Sequence, residues 1–151
     1  SFGATHIIDA SISDPVSEIR KLTDGIGVDH AVEASGQSKV IEQAFNSIRR
    51  GGGVCVFATH PEEGNNISID PYELICGKQI RGSWGGSSNP DRDIPMFAKL
   101  YREGKLPLEK LITKRYRLDD INDALNDLER RRVGRPLIEI DSTIGSTSIS
   151  V

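Results

Sequence analysis

Between Gly27 and His60 the chain reads strand, helix, strand, and this spacing constrains the fold more than any other feature. The first apolar run, Val28–Ala34, ends in Ser35-Gly36, and a helix-like segment follows from Gln37 to Arg49. After Gly51-Gly52-Gly53, a second apolar run, Val54–Ala58, ends in Thr59-His60-Pro61. Two strands joined by one helix in about thirty residues form a βαβ unit with parallel strands. Ligands of open parallel sheets collect just past the carboxyl ends of the strands. That rule puts Ser35-Gly36 and Ala58-Thr59-His60 at the expected site. In the helix, Val40, Ile41, Ala44, Phe45 and Ile48 fall on one stripe. Arg49-Arg50 is expected in its last turn, with Gly51 or Gly52 as left-handed cap. No helix follows the three glycines, so they are read as a turn and not as a phosphate cradle.

Elsewhere the chain alternates in the same way. Thr5–Ala10 reads as a short strand, and Asp14-Pro15 starts a helix with Asp as N-cap and Pro in the first position. Gly25 closes that helix, and Gly25-Ile26-Gly27 is a helix-to-strand loop, because dinucleotide-binding glycines follow a strand and open a helix. Ile67-Ser68-Ile69 alternates as a very short strand, Asp70-Pro71 starts a helix ending near Gly77, and Lys78–Trp84 is the next strand. A helix is expected from about Asp91 to Glu103, with Pro95 in its first turns, where it can shift the start toward Ile94. A short turn at Leu108–Leu111 leads to a strand at Thr113–Leu118. Asp119 or Asp120 then caps a helix with the stripe Ile121, Ala124, Leu125 and Leu128, and Pro136–Ile140 is the last strand. Asp141–Val151 is Ser/Thr-rich and reads as a frayed tail.

Composition excludes several function classes. A formal charge of −3 disfavours broad binding to nucleic acid or anionic membranes. No apolar run approaches the length of a membrane span. Cys55 and Cys76 lack metal-like spacing, and a structural, reduced cysteine inside a strand fits a reducing, cytoplasmic compartment. Ser1 in place of Met, followed by Phe2-Gly3-Ala4, reads as mid-chain sequence, so a fragment is expected.

Few residues are placed for chemistry. His6, His30 and His60 form no zinc spacing with the cysteines and acids. His60 follows a strand, where it either faces a cofactor or is a solvated loop histidine. Glu33 as a general base needs a substrate within reach, and a structural acid holding a loop amide is the plainer reading. Arg130-Arg131-Arg132 is read as a solvated helix end. Arg135 stands apart because it immediately precedes a strand.

Taken in order, several pieces resemble the medium-chain, zinc-dependent alcohol dehydrogenase family. They are Phe2-Gly3-Ala4-Thr5, Leu22–Asp29, Glu33-Ala34-Ser35-Gly36, Ile69-Asp70-Pro71, Ile80–Gly86 and Val133-Gly134-Arg135. The resemblance implies an α/β fold, namely strands 3 to 6 of a doubly wound Rossmann sheet, followed by a helix and strand that return to a catalytic domain. It divides the chain into 1–104 of the cofactor domain, 105–140 of the return segment and a tail at 141–151. It implies that Ala34, Ser35 and Gly36 border the adenine side of NAD or NADP, and that Ala58, Thr59 and His60 line the nicotinamide. It also implies that Ser83-Trp84 helps to hold the carboxamide, that Arg135 approaches the phosphates, and that Ile67–Ile69 with Gln79–Ser83 resembles a subunit-pairing segment.

The family's zinc ligands, glycine fingerprint and ribose-reading acid belong to sequence upstream of such a segment, so NAD and NADP are not distinguished here. The implied partners are the cofactor, a small alcohol or its aldehyde or ketone, and a second copy in a homodimer or tetramer. Nucleic acid and membrane are not among them. With strand order 3-2-1-4-5-6, the Thr5–Asp9 strand has no neighbour within the chain, and one edge of Val28–Ala34 is bare. The chain alone is therefore expected to be poorly stable and inactive. Two alternatives stand beside this one: a zinc-free quinone or enoyl reductase of the same superfamily, and a non-catalytic assembly module.

Overall fold

The computed structural model describes residues 3–140 and divides into two compact units between Ser88 and Asn89. In the first unit, helix α1 (Pro15–Leu22) begins where Asp14 accepts a hydrogen bond from the Ser17 amide at 2.9 Å, with Pro15 as first residue. Then come β1 (His30–Glu33), α2 (Ser38–Ser47), β2 (Val54–Phe57), α3 (Pro71–Ile75) and β3 (Gln79–Gly82). The strands form a three-stranded sheet in the order β1-β2-β3, parallel throughout. The register aligns Ala31 with Cys55 and Ile80, and Glu33 with Phe57 and Gly82. The fold class is therefore α/β with parallel strands, as the βαβ spacing requires.

The core lies between α2 and one face of this sheet. Phe45, Ile48 and Cys55 are fully buried, with Val28, Ala31, Ala44, Ile69 and Ile80 packed around them. On the other face Val32 is 74% exposed, while Val54 and Val56 are half-buried. Helix α2 stops two residues before the expected Arg49. Ile48 turns extended and bridges to Val28, with the Val28 amide donating to the Ser47 carbonyl at 3.0 Å and the Arg49 amide to the Val28 carbonyl at 2.9 Å. This extra rung takes Ile48 out of the helix and leaves it fully buried.

Arg49 and Arg50 consequently do not cap α2. Two cations remote in sequence do so: Arg20 donates to the Asn46 carbonyl at 2.8 Å, and Lys78 donates to the Phe45 and Asn46 carbonyls at 3.4 Å each. They meet the orphan carbonyls and the negative end of the helix dipole. Arg50 instead pairs with Glu73, which also bonds Lys78 at 2.9 Å. These two partners, Arg50 first, hold the Glu73 carboxyl at about 2 against an ordinary 4.5. The glycine turn is a turn: the Gly51 and Gly52 amides donate to the Cys76 and Gly77 carbonyls at 2.8 and 3.0 Å, which leaves no phosphate cradle. Gly53 is required there, since a Cβ would collide with the Arg49 carbonyl.

Two expected strands do not form. Residues 5–9 have no ladder partner among the described residues, and Ile7 is 90% exposed. A strand without a neighbour has no bonds to define it. Residues 67–69 run irregularly, because the Ser68 amide donates to the Glu42 carboxylate at 2.6 Å while Ile69 drops onto the core.

The second unit holds α4 (Pro90–Arg102), β4 (Lys114–Arg117), α5 (Ile121–Glu129) and β5 (Pro136–Glu139), with β4 and β5 parallel. Asn89 caps α4, which runs from Pro90 straight through Pro95, so the proline does not shift its start. Asp120 precedes α5 but its side chain makes no capping bond. Tyr116, Ala124 and Val133 are buried, and the Tyr116 hydroxyl donates to Asp127 at 2.7 Å. That bond and the one from Lys114 hold Asp127 at about 2. The tail expected at 141–151 lies outside the described residues.

Unequal faces make unequal substitutions. Phe45→Ala is expected to lower stability by about 4 kcal/mol, and Val32→Ala by under about 0.5 kcal/mol, in denaturant unfolding. A pH dependence follows from Glu73: its depressed pKa contributes stability that is complete above about pH 4.5 and is lost as pH falls toward 2. The difference between wild-type and Glu73→Gln unfolding curves should therefore shrink across that window and stay constant above it.

Candidate functional site

Three loops leave the carboxyl ends of β1, β2 and β3 at the same end of the sheet. They carry Ala34-Ser35-Gly36, Ala58–Pro61 and Ser83-Trp84. Parallel pairing alone brings them together, since every strand ends on the same side.

The first loop is shaped by Glu33. This residue is 2% exposed, and its Oε1 accepts from the Ser35 amide and hydroxyl at 2.5 Å each and from the Gly36 amide at 3.0 Å. Glu33 is thus a structural acid of the loop, as its position before Ser35-Gly36 implies. Gly36 has φ of +75°, and a Cβ there would stand 2.9 Å from the His60 carbonyl oxygen and 3.1 Å from Thr59 Cγ2. A side chain at this position is therefore excluded twice, by backbone conformation and by space.

The second and third loops meet through their aromatic rings. His60 stands edge-on to Trp84, with ring centroids 4.4 Å apart and planes at 83°. The Ala58 amide donates to the Glu33 carbonyl at 3.1 Å, and the Ser83 amide donates to the Phe57 carbonyl at 2.9 Å, so both loops start from fixed points. Between them is a cavity of about 320 Å³ lined by Phe57, Ala58, Thr59, His60, Pro61, Gly82, Ser83 and Trp84. A larger cavity, about 710 Å³, opens at the other end of the sheet among Arg20, Arg50, Glu73 and Lys78. Those side chains are already committed to one another and to the end of α2, so the smaller cavity is the better candidate.

Of the residues expected at a site, Ala58, Thr59, His60, Ser83 and Trp84 converge on one cavity, and Gly36 packs against the loop that forms it. Ala34 and Ser35 are exposed on the adjoining loop. Arg135 belongs to the second unit, where its amide donates to the Thr113 hydroxyl at 3.3 Å. Phe57, Pro61 and Gly82 line the cavity without being among the residues expected at a site. Gly82 did leave a signal, because a glycine inside a strand pattern marks a close approach, here to the Phe57 ring at 3.2 Å from a built Cβ. Cys55 is buried and free, its thiol pushed up by burial and then by the nearby Glu33 carboxylate. Among the described residues no three His, Cys, Asp or Glu side chains converge as a metal-ligand set. No described helix is long and apolar enough to cross a membrane.

The zinc-binding dehydrogenase family profile matches residues 1–102, which is the whole of the sheet and its loops. The chain belongs to the zinc-binding dehydrogenase family. Among curated proteins, the chain is 32% identical to alcohol dehydrogenase-like 2 of Arabidopsis thaliana, over 93% of its own length and 37% of that protein. It is 33% identical to the NDMA-dependent alcohol dehydrogenase of Amycolatopsis methanolica, over 83% and 34% respectively. Among solved structures, benzyl alcohol dehydrogenase from Acinetobacter calcoaceticus superposes with a TM-score of 0.86 at 33% identity, covering 92% of this chain and 38% of that one. The chain thus spans little more than a third of the relatives that it matches.

The edge-on contact of His60 with Trp84 has an optical consequence, because Trp84 is the single tryptophan. His60→Ala should change the Trp84 emission intensity, whereas His6→Ala and His30→Ala should leave it as it is, in steady-state fluorescence of the chain.

Proposed function

We propose that this chain is the cofactor-binding portion of a zinc-type alcohol dehydrogenase. In that enzyme it holds the nicotinamide half of NAD or NADP while hydride passes between an alcohol carbon and the nicotinamide ring. The observation that carries the proposal is the convergence of Ala58, Thr59, His60, Ser83 and Trp84 on one cavity at the carboxyl ends of parallel strands. At about 320 Å³ the cavity lies at the small end of ligand pockets, so it suits one ring of a dinucleotide and not the whole. Its lining fits such a ring: Phe57, Pro61 and Trp84 offer apolar walls, and Thr59, His60 and Ser83 offer hydrogen-bonding groups.

The nicotinamide, when bound, accepts or returns the hydride. The chain's own residues bind and orient. Main-chain groups near Ala58 and Ser83-Trp84 would take the carboxamide, and Ala34, Ser35 and Gly36 would border the adenine side. Arg135, in the assembled enzyme, approaches the phosphates. Among the described residues no His, Cys, Asp or Glu set fits zinc; in this reading the metal would be held by residues elsewhere in the longer enzyme.

Residues 1–104 belong to the cofactor domain in this scheme and 105–140 to the segment returning to the catalytic domain. The short span relative to the relatives, and residues 5–9 with no strand neighbour among the described residues, support a portion of a longer enzyme. The substrate is a small alcohol or its aldehyde or ketone, and the assembly is a homodimer or tetramer.

Calorimetric titration of NAD and NADP into the full-length gene product should give saturable binding of at least one of them; binding of neither would refute the assignment. The 151-residue chain by itself is expected to show no detectable NAD(P)-linked alcohol oxidation, and robust turnover by it would refute the portion reading.

A further inference from the structure

We infer that Glu33 is the positioning residue of the candidate cavity, setting the loop of β1 with its carboxylate and the start of the β2 loop with its main-chain carbonyl. Its side chain and main chain act on different strands. Oε1 gathers the Ser35 amide, the Ser35 hydroxyl and the Gly36 amide, while its carbonyl accepts from the Ala58 amide at 3.1 Å. The turn so formed presses Gly36 against the His60 carbonyl, and His60 in turn stands against Trp84. A continuous set of contacts therefore runs from a buried acid to the two rings that line the cavity.

The acid is placed for this role at a cost that a turn alone does not explain. Oε2 of Glu33 is buried with no hydrogen-bond partner, and so is the Ser38 hydroxyl on the far side of the same turn. A buried carboxylate oxygen without a donor is destabilising. A serine or asparagine could hold one turn amide without that penalty. What the carboxylate adds is reach for several donors at once, through charge-assisted bonds about twice as strong as neutral ones. The lone oxygen is the residue of that choice: the site keeps a costly acid because Oε1 fixes the turn against the β2 loop.

This role rests on the cofactor assignment above, and the test separates the two. In the full-length gene product, NAD and NADP affinity is measured by calorimetry for wild type, Glu33→Gln and Glu33→Ala, well below each unfolding midpoint. Loss of the gathered bonds in Glu33→Ala is expected to weaken binding about tenfold or more, and Glu33→Gln, which keeps the Oε1 acceptor but not its charge, should fall between Glu33→Ala and wild type. Affinity unchanged in folded Glu33→Ala, or Glu33→Gln no better than Glu33→Ala, would overturn the inference. Should Glu33→Ala fail to fold, Ser35→Ala removes one of the donors, and unchanged affinity there would likewise overturn it.

A second readout needs no cofactor. In the 151-residue chain, Gly36→Ala and Glu33→Gln are compared with wild type by Trp84 emission, with circular dichroism checking the fold. Gly36→Ala should change the emission clearly and Glu33→Gln slightly. Unchanged emission in folded Gly36→Ala would break the proposed connection, even if wild type binds neither dinucleotide and the cofactor assignment itself has failed.

Discussion

Burial of Phe45 and Ile48 against Cys55 is the contact on which the first unit depends. It clamps α2 to the centre of a three-stranded sheet, and both ends of the sheet are organised by that clamp. At one end Ile48 leaves the helix to bridge Val28, which aligns the start of β1. At the other end the amino terminus of α2 begins just after the Ser35-Gly36 turn. The apolar area is modest and one-sided, with Val32 bare on the opposite face.

The two ends of the sheet differ in chemistry. Arg20, Lys78, Arg50 and Glu73 crowd the amino-terminal end and are spent on α2 carbonyls and on one another. That end is held by charge and has little left to offer a ligand, despite the larger cavity. At the carboxyl-terminal end Glu33 is buried and faces its own turn, and Thr59, His60, Ser83 and Trp84 line a smaller opening. Fixed charge sits where the fold needs closing, and adaptable polar and aromatic groups sit where a ligand is expected.

Much of this was legible in the residues. The βαβ spacing, the Asp14-Pro15 and Asp70-Pro71 helix starts and the carboxyl-end rule located the sheet and its loops. What escaped was set by partners distant in sequence. Arg49-Arg50 has the local look of a helix cap, but the Val28–Ile48 bridge removes those residues from the helix, and Arg20 and Lys78 do the capping from 26 residues before and 32 after Asn46. Thr5–Ala10 and Ile67–Ile69 have strand alternation, yet a strand exists only with a neighbour, and alternation says nothing about whether one is present. Gly82 and Phe57 belong to the cavity because they face each other across two strands, a pairing that neither residue announces alone.

Strand β2 is paired on both sides, with β1 and with β3, and its end leads directly into Ala58, Thr59 and His60. A one-residue slip of β2 would turn Cys55 out of the interior and break two ladders together. The loop that it launches is therefore indexed twice, like a ruler read against two scales. The height of Ala58, Thr59 and His60 above the sheet follows from that double indexing.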